Sequence, residues 1–173
     1  MTAEPLVSGL LTGLPAEQLT AVVAALRARG ETVATAESLT AGLLTAALTS
    51  VPGSSAVVRG GVVVYATELK TSLAGVPETL LAERGPVDAE VAVALAEGAR
   101  DRCGASIGIG LTGVAGPDPQ DGKPVGTVYV ALAGPRGVRS VALTEPGSRE
   151  SVRAGAVRAA LQLLAHDLGT LDG

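Results

Sequence analysis

Two uncharged segments constrain this chain more than any other feature. Gly61-Val62-Val63-Val64-Tyr65 and Ser106-Ile107-Gly108-Ile109-Gly110-Leu111 show no alternation of apolar and charged residues. A strand with one wet face alternates, whereas a strand without alternation is covered on both faces. Covering both faces requires helices above and below the sheet, so the chain reads as a three-layer α/β domain. The helices are legible too. Ala16–Arg29 places Leu19, Val22, Val23 and Leu26 on one face and stops at Gly30. Ser38 to about Ser50 reads as a second helix, with Val51-Pro52-Gly53-Ser54-Ser55 as the turn that ends it. Short helices are expected at Glu68–Leu73 and Pro77–Glu83. Asp88 caps a longer helix to Cys103, and Arg149–Leu168 forms the last one. Thr32–Ala36 reads as a short strand. Val125–Ala133 and Val138–Leu143 read as a strand pair joined by Gly134-Pro135-Arg136-Gly137. The expectation is one α/β/α domain over residues 1–173, with a mixed, mostly parallel sheet and a loose arm over residues 1–12.

What fills such a fold is unusual. Phe and Trp are absent, and Tyr65 and Tyr129 are the two aromatics, yet 47% of the residues are hydrophobic. The core must be Ala, Val and Leu with a few Ile, which suits close packing of helix on sheet. The helix from Asp88 to Cys103 is apolar on more than one side, so apolar surface is expected to remain after folding. Such surface marks an interface, and a homo-oligomer, most simply a dimer, is expected.

The same composition removes several function classes. A net charge of −4 with two aromatics provides neither the basic footprint nor the stacking platforms of a nucleic-acid binder. Ser38 to Val58 is uncharged but carries too many Ser, Thr, Pro and Gly residues to span a membrane. The N-terminal residues lack the basic region of a signal peptide, and the single cysteine, Cys103, permits no intramolecular disulfide, so a cytoplasmic location is expected. Cys103 reads as a small buried hydrophobe. No Cys/His cluster has metal-ligand spacing, and no metal or cofactor is expected. The one histidine, His166, ends the last helix, where a cation is a routine structural choice, so no Ser-His-Asp triad can be assembled. Hydrolytic chemistry would have to use Ser, Lys, Tyr or carboxylates.

Gly108-Ile109-Gly110-Leu111-Thr112-Gly113 matches G-x-G-x-x-G, but Pro117 and Pro119 forbid the helix that a dinucleotide site requires next. Thr35-Ala36-Glu37-Ser38-Leu39-Thr40-Ala41-Gly42 says more. It lies where a strand ends and a helix begins, the place where α/β sheets bind ligands. Ser38 there is either a helix N-cap or a group at the mouth of a site. Tyr65 falls at the end of a strand and Lys70 follows five residues later. A desolvated lysine can act as a general base, whereas a solvated one is ordinary surface. Arg149 and Arg153 begin the last helix and either hold an anion or face solvent.

These segments carry a resemblance. Thr35–Thr40, Pro52-Gly53-Ser54-Ser55, Gly61–Tyr65 with Lys70, Thr112-Gly113-Val114-Ala115-Gly116-Pro117 and Lys123-Pro124-Val125-Gly126-Thr127-Val128 occur in this order. Together, over Thr35–Leu168, they resemble the C-terminal domain of the competence/damage-inducible (CinA) family, the nicotinamide mononucleotide (NMN) deamidases. The resemblance implies hydrolysis of NMN to nicotinic acid mononucleotide and ammonia, in pyridine nucleotide salvage. It implies Ser38 as nucleophile with Lys70 and Tyr65 assisting. Glu37, Thr40, Ala41, Gly42, Thr112, Gly113, Gly116 and Arg149 are the expected substrate-binding residues. Two positions depart from the family's usual pattern: Ala41 stands where a first glycine of Gly-Gly is usual, and Ala66-Thr67 stand where Ser-Asn is frequent. The competing class is a non-catalytic module that binds a nucleotide or a partner protein. It would have no need of Lys70 near Ser38.

Overall fold

The computed structural model describes residues 13–170, and the arm expected over residues 1–12 lies outside them. Five strands form one sheet: β1 (Val33–Glu37), β2 (Val58–Val63), β3 (Ile107–Gly113), β4 (Thr127–Gly134) and β5 (Gly137–Thr144). Their order is β2-β1-β3-β4-β5. β1 pairs in parallel with both β2 and β3, while β4 runs antiparallel to β3 and β5. Four strands therefore point one way and β4 alone opposes them, which agrees with the expected mixed sheet.

The helices are α1 (Ala16–Arg29), α2 (Leu43–Thr49), α3 (Thr67–Ala74), α4 (Glu78–Arg84), α5 (Ala89–Cys103) and α6 (Arg149–Asp167). One layer, α1, α2 and α6, packs Leu, Val and Ala against Val33, Ile107, Ile109, Leu111, Val128, Val130 and Leu132 of the sheet. The opposite layer, α3 to α5, covers the other face, where Ala34, Ala36, Ala131 and Ala133 lie.

On that second face small residues allow close approach. A Cβ added at Gly108 would strike the carbonyl oxygen of Ala96, and one added at Gly110 would strike that of Ala92. The first two glycines of the G-x-G-x-x-G match thus admit α5 to the sheet rather than cradle a phosphate. α5 buries Val91, Ala92, Leu95, Ala96 and Ala99 fully, while Val93 and Ala94 are partly exposed.

Three local readings need correction. β2 begins at Val58 instead of Gly61, and its exposure alternates, with Val63 44% exposed, because it is the edge of the sheet and not an interior strand. β3 is the interior strand, and there the expectation of burial on both faces holds. The helix expected from Ser38 starts only at Leu43. Ala41 (φ 48°) and Gly42 (φ 97°) are left-handed, so residues 38–42 form tight turns instead of helix, and Ser38 is not its N-cap.

Candidate active site

The register of the sheet builds the site. Glu37, the last residue of β1, lies between Val63 of β2 and Leu111 of β3. The Ser38 N–H donates to the Leu111 carbonyl at 3.1 Å, and the Val64 N–H donates to the Glu37 carbonyl at 2.8 Å. Ser38 therefore leaves the sheet between the chains that continue into Tyr65 and Thr112. This is the carboxyl end of parallel strands, where open α/β sheets place ligands.

Lys70 reaches the same point from α3. Its Nζ donates to Ser38 Oγ at 3.0 Å and to the Val64 carbonyl at 2.8 Å. The residue is 2% exposed and Ser38 is 8% exposed. No carboxylate forms an ion pair with Lys70 among the described residues. Burial pushes its ammonium pKa down to about 8, against a smaller opposing pull from Glu68. Of the two sequence readings of Lys70, the desolvated one describes its surroundings.

A cleft of about 200 Å³ opens over this pair. Of the residues expected at the site, Ser38, Tyr65, Lys70, Thr112, Gly113, Gly116 and Arg149 line it. Arg149 closes one side, donating to the Tyr65 hydroxyl at 2.8 Å and to the Gly116 carbonyl at 2.6 Å. Thr112 donates its hydroxyl to the Pro86 carbonyl at 2.6 Å, which draws Pro86 and Val87 to the rim. Those two, with Asp118 and Gln120, line the cleft without having been singled out in the sequence, and Thr67, which stands at a departure from the family's usual pattern, lines it too. The proline-rich loop after Gly116 was the one available signal for Asp118 and Gln120. A larger groove of about 670 Å³ lies elsewhere, between α5 and the α3–α4 connection, and none of the serine–lysine groups borders it.

Four expected binding residues stand outside the cleft. Glu37 is fully buried and faces α2. Its Oε2 accepts from the N–H groups of Gly42 (3.0 Å) and Leu44 (3.1 Å), and its Oε1 accepts from the N–H and hydroxyl of Thr45, both at 2.8 Å. The helix-start donors that the sequence suggested for a ligand are thus taken by Glu37, which pins the turn beside Ser38. Ala41 and Gly42 shape that turn through their left-handed backbone. Thr40 is buried beneath it. Arg153, the other cation considered for an anion, donates instead to the carbonyls of Leu39 (2.9 Å) and Thr40 (3.2 Å). Ser148, not Ser38, caps a helix near the site, its side chain accepting from the Ser151 N–H at 3.2 Å.

Together these observations define the class: a three-layer α/β domain with a buried serine–lysine pair at the carboxyl end of its parallel strands. Residues 16–168 match the CinA C-terminal domain family, and the chain belongs to that family. A CinA-like protein of Frankia casuarinae is 51% identical over 143 residues, covering 83% of this chain and 33% of the relative. A putative competence-damage inducible protein of Desulforamulus reducens is 48% identical over 139 residues, covering 80% of this chain and 34% of that one. The chain thus spans about one third of the length of these relatives. Among solved structures it superposes on the competence/damage inducible protein CihA of Agrobacterium tumefaciens with a TM-score of 0.84 and 35% identity, covering 89% of this chain and 94% of that one. A CinA superfamily protein of Escherichia coli gives a TM-score of 0.83 at 29% identity, covering 95% and 92%. No helix among the described residues is long and apolar enough to cross a membrane.

Proposed function

We propose that this chain is an amidohydrolase that converts NMN to nicotinic acid mononucleotide and ammonia. The observation that carries the reading is the 3.0 Å contact between Lys70 Nζ and Ser38 Oγ, with both groups buried and the lysine paired with no carboxylate among the described residues. A lysine with a pKa near 8 is neutral in a useful fraction of molecules at physiological pH, and a neutral amine beside a serine hydroxyl is a base. A module that only bound a ligand would have no use for a lysine desolvated against a serine.

The pyridinium ring of NMN withdraws electrons from its carboxamide. Ser38 Oγ forms a bond to the carboxamide carbon, its proton passes to neutral Lys70, and the carbonyl electron pair retreats onto oxygen. Collapse of that oxyanion breaks the C–N bond as Lys70 returns the proton to nitrogen, and ammonia leaves. Water then attacks the acyl-serine with Lys70 again taking and returning a proton. Arg149 offers a cation to the phosphate, and its bond to Tyr65 places that hydroxyl at the rim.

The test is ammonia release from NMN by the purified chain, run beside free nicotinamide. A site that pairs a phosphate discriminates strongly against a substrate lacking one. Turnover of NMN alone is expected; equal turnover of both, or of neither, would overturn the assignment.

A further inference from the structure

β1 leaves the sheet before its neighbour β3 does. The Ile107 N–H donates to the Thr32 carbonyl at 2.9 Å and the Leu111 carbonyl accepts from the Ser38 N–H at 3.1 Å, so these residues of β3 turn their polar groups to the β1 side. Val114 turns the other way. Its N–H donates to the Thr127 carbonyl and its carbonyl accepts from the Gly126 N–H, both at 2.8 Å. Successive residues of an extended strand present their backbone groups to opposite sides. Gly113 therefore points its N–H and its carbonyl toward β1.

A continuing parallel ladder would join that N–H to the Ser38 carbonyl and that carbonyl to the Thr40 N–H. Neither bond forms. The Ser38 carbonyl accepts from the Ala41 N–H at 3.1 Å instead, and Arg153 holds the carbonyls of Leu39 and Thr40 at 2.9 and 3.2 Å. One rung of the ladder is thus left open, with no partner for either backbone group of Gly113 among the described residues. Ser38 is the last residue bonded to β3 before the open rung, and Gly113 lines the same cleft as Ser38 and Lys70. Backbone donors and acceptors left unpaired in a folded protein are uncommon and call for a ligand or water.

A donor and an acceptor that face one way from one strand residue match a primary carboxamide, which carries C=O and N–H on a single edge. We propose that the Gly113 backbone is the subsite for the scissile carboxamide: its N–H donates to the substrate's carbonyl oxygen, and its carbonyl accepts from the substrate's NH2. This rests on the amidohydrolase reading above and deepens it. The substrate completes the rung that β1 vacates, and its oxygen already sits on a fixed donor when Ser38 attacks and negative charge grows there. The carboxylate product sets a second oxygen against the Gly113 carbonyl, so the rung that selects the amide repels the acid.

The methyl ester of nicotinic acid mononucleotide tests the acceptor. It is the more electrophilic substrate and yields the same acid, but has no N–H for Gly113. Its kcat/KM should fall at least ten-fold below that of NMN. In Ser38→Ala, the 3-acetylpyridine analogue of NMN, which also lacks the N–H, should bind at least ten-fold more weakly than NMN. Replacing Gly113 by glycolic acid, which exchanges only its N–H for an ester oxygen, tests the donor. It should lower kcat on NMN about 100-fold at an unchanged melting temperature, because the N–H has no acceptor in the fold. Gly113→Ala would report packing, since its Cβ would strike the Thr127 carbonyl at 2.6 Å. An ester turned over as fast as NMN, or a glycolic acid variant with parental kcat, overturns the subsite and leaves the serine–lysine reading standing. A parent chain that binds NMN in preference to the acetyl analogue without hydrolysing it overturns the reaction and keeps the subsite. A parent chain that does not bind NMN overturns both.

Discussion

The two ends of the sheet handle buried charge in opposite ways. In the β4–β5 turn, Arg136 donates to both carboxylate oxygens of Glu31 at 2.7 Å and to Asp167, whose side chain is fully buried, at 2.6–2.8 Å. The guanidinium holds the Glu31 carboxyl below the usual carboxylate range, and the paired acids raise the Arg136 pKa in turn. This network ties the end of α1 and the end of α6 to the hairpin. At the other end Lys70 is just as enclosed, but among the described residues it bonds only to a hydroxyl and to carbonyl oxygens. An ionic group that serves the fold is matched with an opposite charge, because an unmatched one is costly to bury. An unmatched buried lysine beside a serine therefore marks the end of the molecule at which the proposed chemistry is placed.

The sharpest way to break this contrast is to remove the pair at the cleft. Ser38→Ala is expected to fold and to lose at least three orders of magnitude in kcat on NMN. Lys70→Ala should lose a comparable factor, and the double variant should be little worse, because residues acting as one unit are non-additive. Ammonia release by all three, beside their melting temperatures, checks this. Additive losses would separate Lys70 from the serine's chemistry.

At the far end the effect should appear in stability instead. Arg136→Ala leaves Asp167 buried with only Arg139, 3.9 Å away, to offset it. Breaking one partner of such a pair costs about 3 kcal/mol. Denaturant unfolding should show the loss, while kcat per folded molecule stays at the parent value. A drop in kcat without a drop in stability would reverse the assignment of the two ends.

The pH profile separates the ends again. A base with a pKa of about 8 gives a kcat that rises about 50-fold from pH 6 to pH 8 and then levels. Stability carries its own sign. The folded pKa of Lys70, about 8, lies below the unfolded value of about 10.4. Between those two values the unfolded chain holds more protons, so the contribution of Lys70 to stability rises with pH across that window and is lowest below it. Glu31 acts oppositely: its folded pKa is depressed, so its stabilising contribution is present above its unfolded pKa and is lost as pH falls through the folded value. A flat kcat between pH 6 and 8 would remove Lys70 as the base.

The layering was readable because β3 is uncharged and helices alternate with strands in the sequence. The serine–lysine pair was also readable as a juxtaposition, since Ser38 ends one strand segment and Lys70 follows another. What was not readable depends on contacts the local sequence does not encode. Glu37 looked like a binding residue because it precedes Ser38, yet strand alternation points it to the α2 side with Thr35. Val63 looked interior because nothing local reveals that β2 has a neighbour on only one side. The cluster of Arg136, Glu31 and Asp167 joins residues 31 and 105 positions apart and leaves no trace in spacing. The uncharged residues after Ser38 suggested continuous helix, while the backbone turns left-handed at Ala41.

Ala41 provides the smallest test and the one closest to Ser38. Its φ of 48° is a conformation that glycine adopts freely and alanine adopts at a cost of about 1 kcal/mol. The family's usual glycine at this position is thus explained by the backbone: the turn uses two successive left-handed residues, Ala41 and Gly42, to lead the chain from Ser38 into α2. Ala41→Gly relieves the strain but also frees the unfolded chain, which loses more entropy on folding. The two effects oppose, so the net gain in stability is expected to be at most about 1 kcal/mol. Since Glu37 and Arg153 hold the turn from both sides, the substitution should leave kcat within about two-fold. A melting temperature lowered by several degrees would mean that alanine is under no strain there. A kcat changed ten-fold at unchanged stability would mean that the turn is held by its own stiffness instead of by those two side chains.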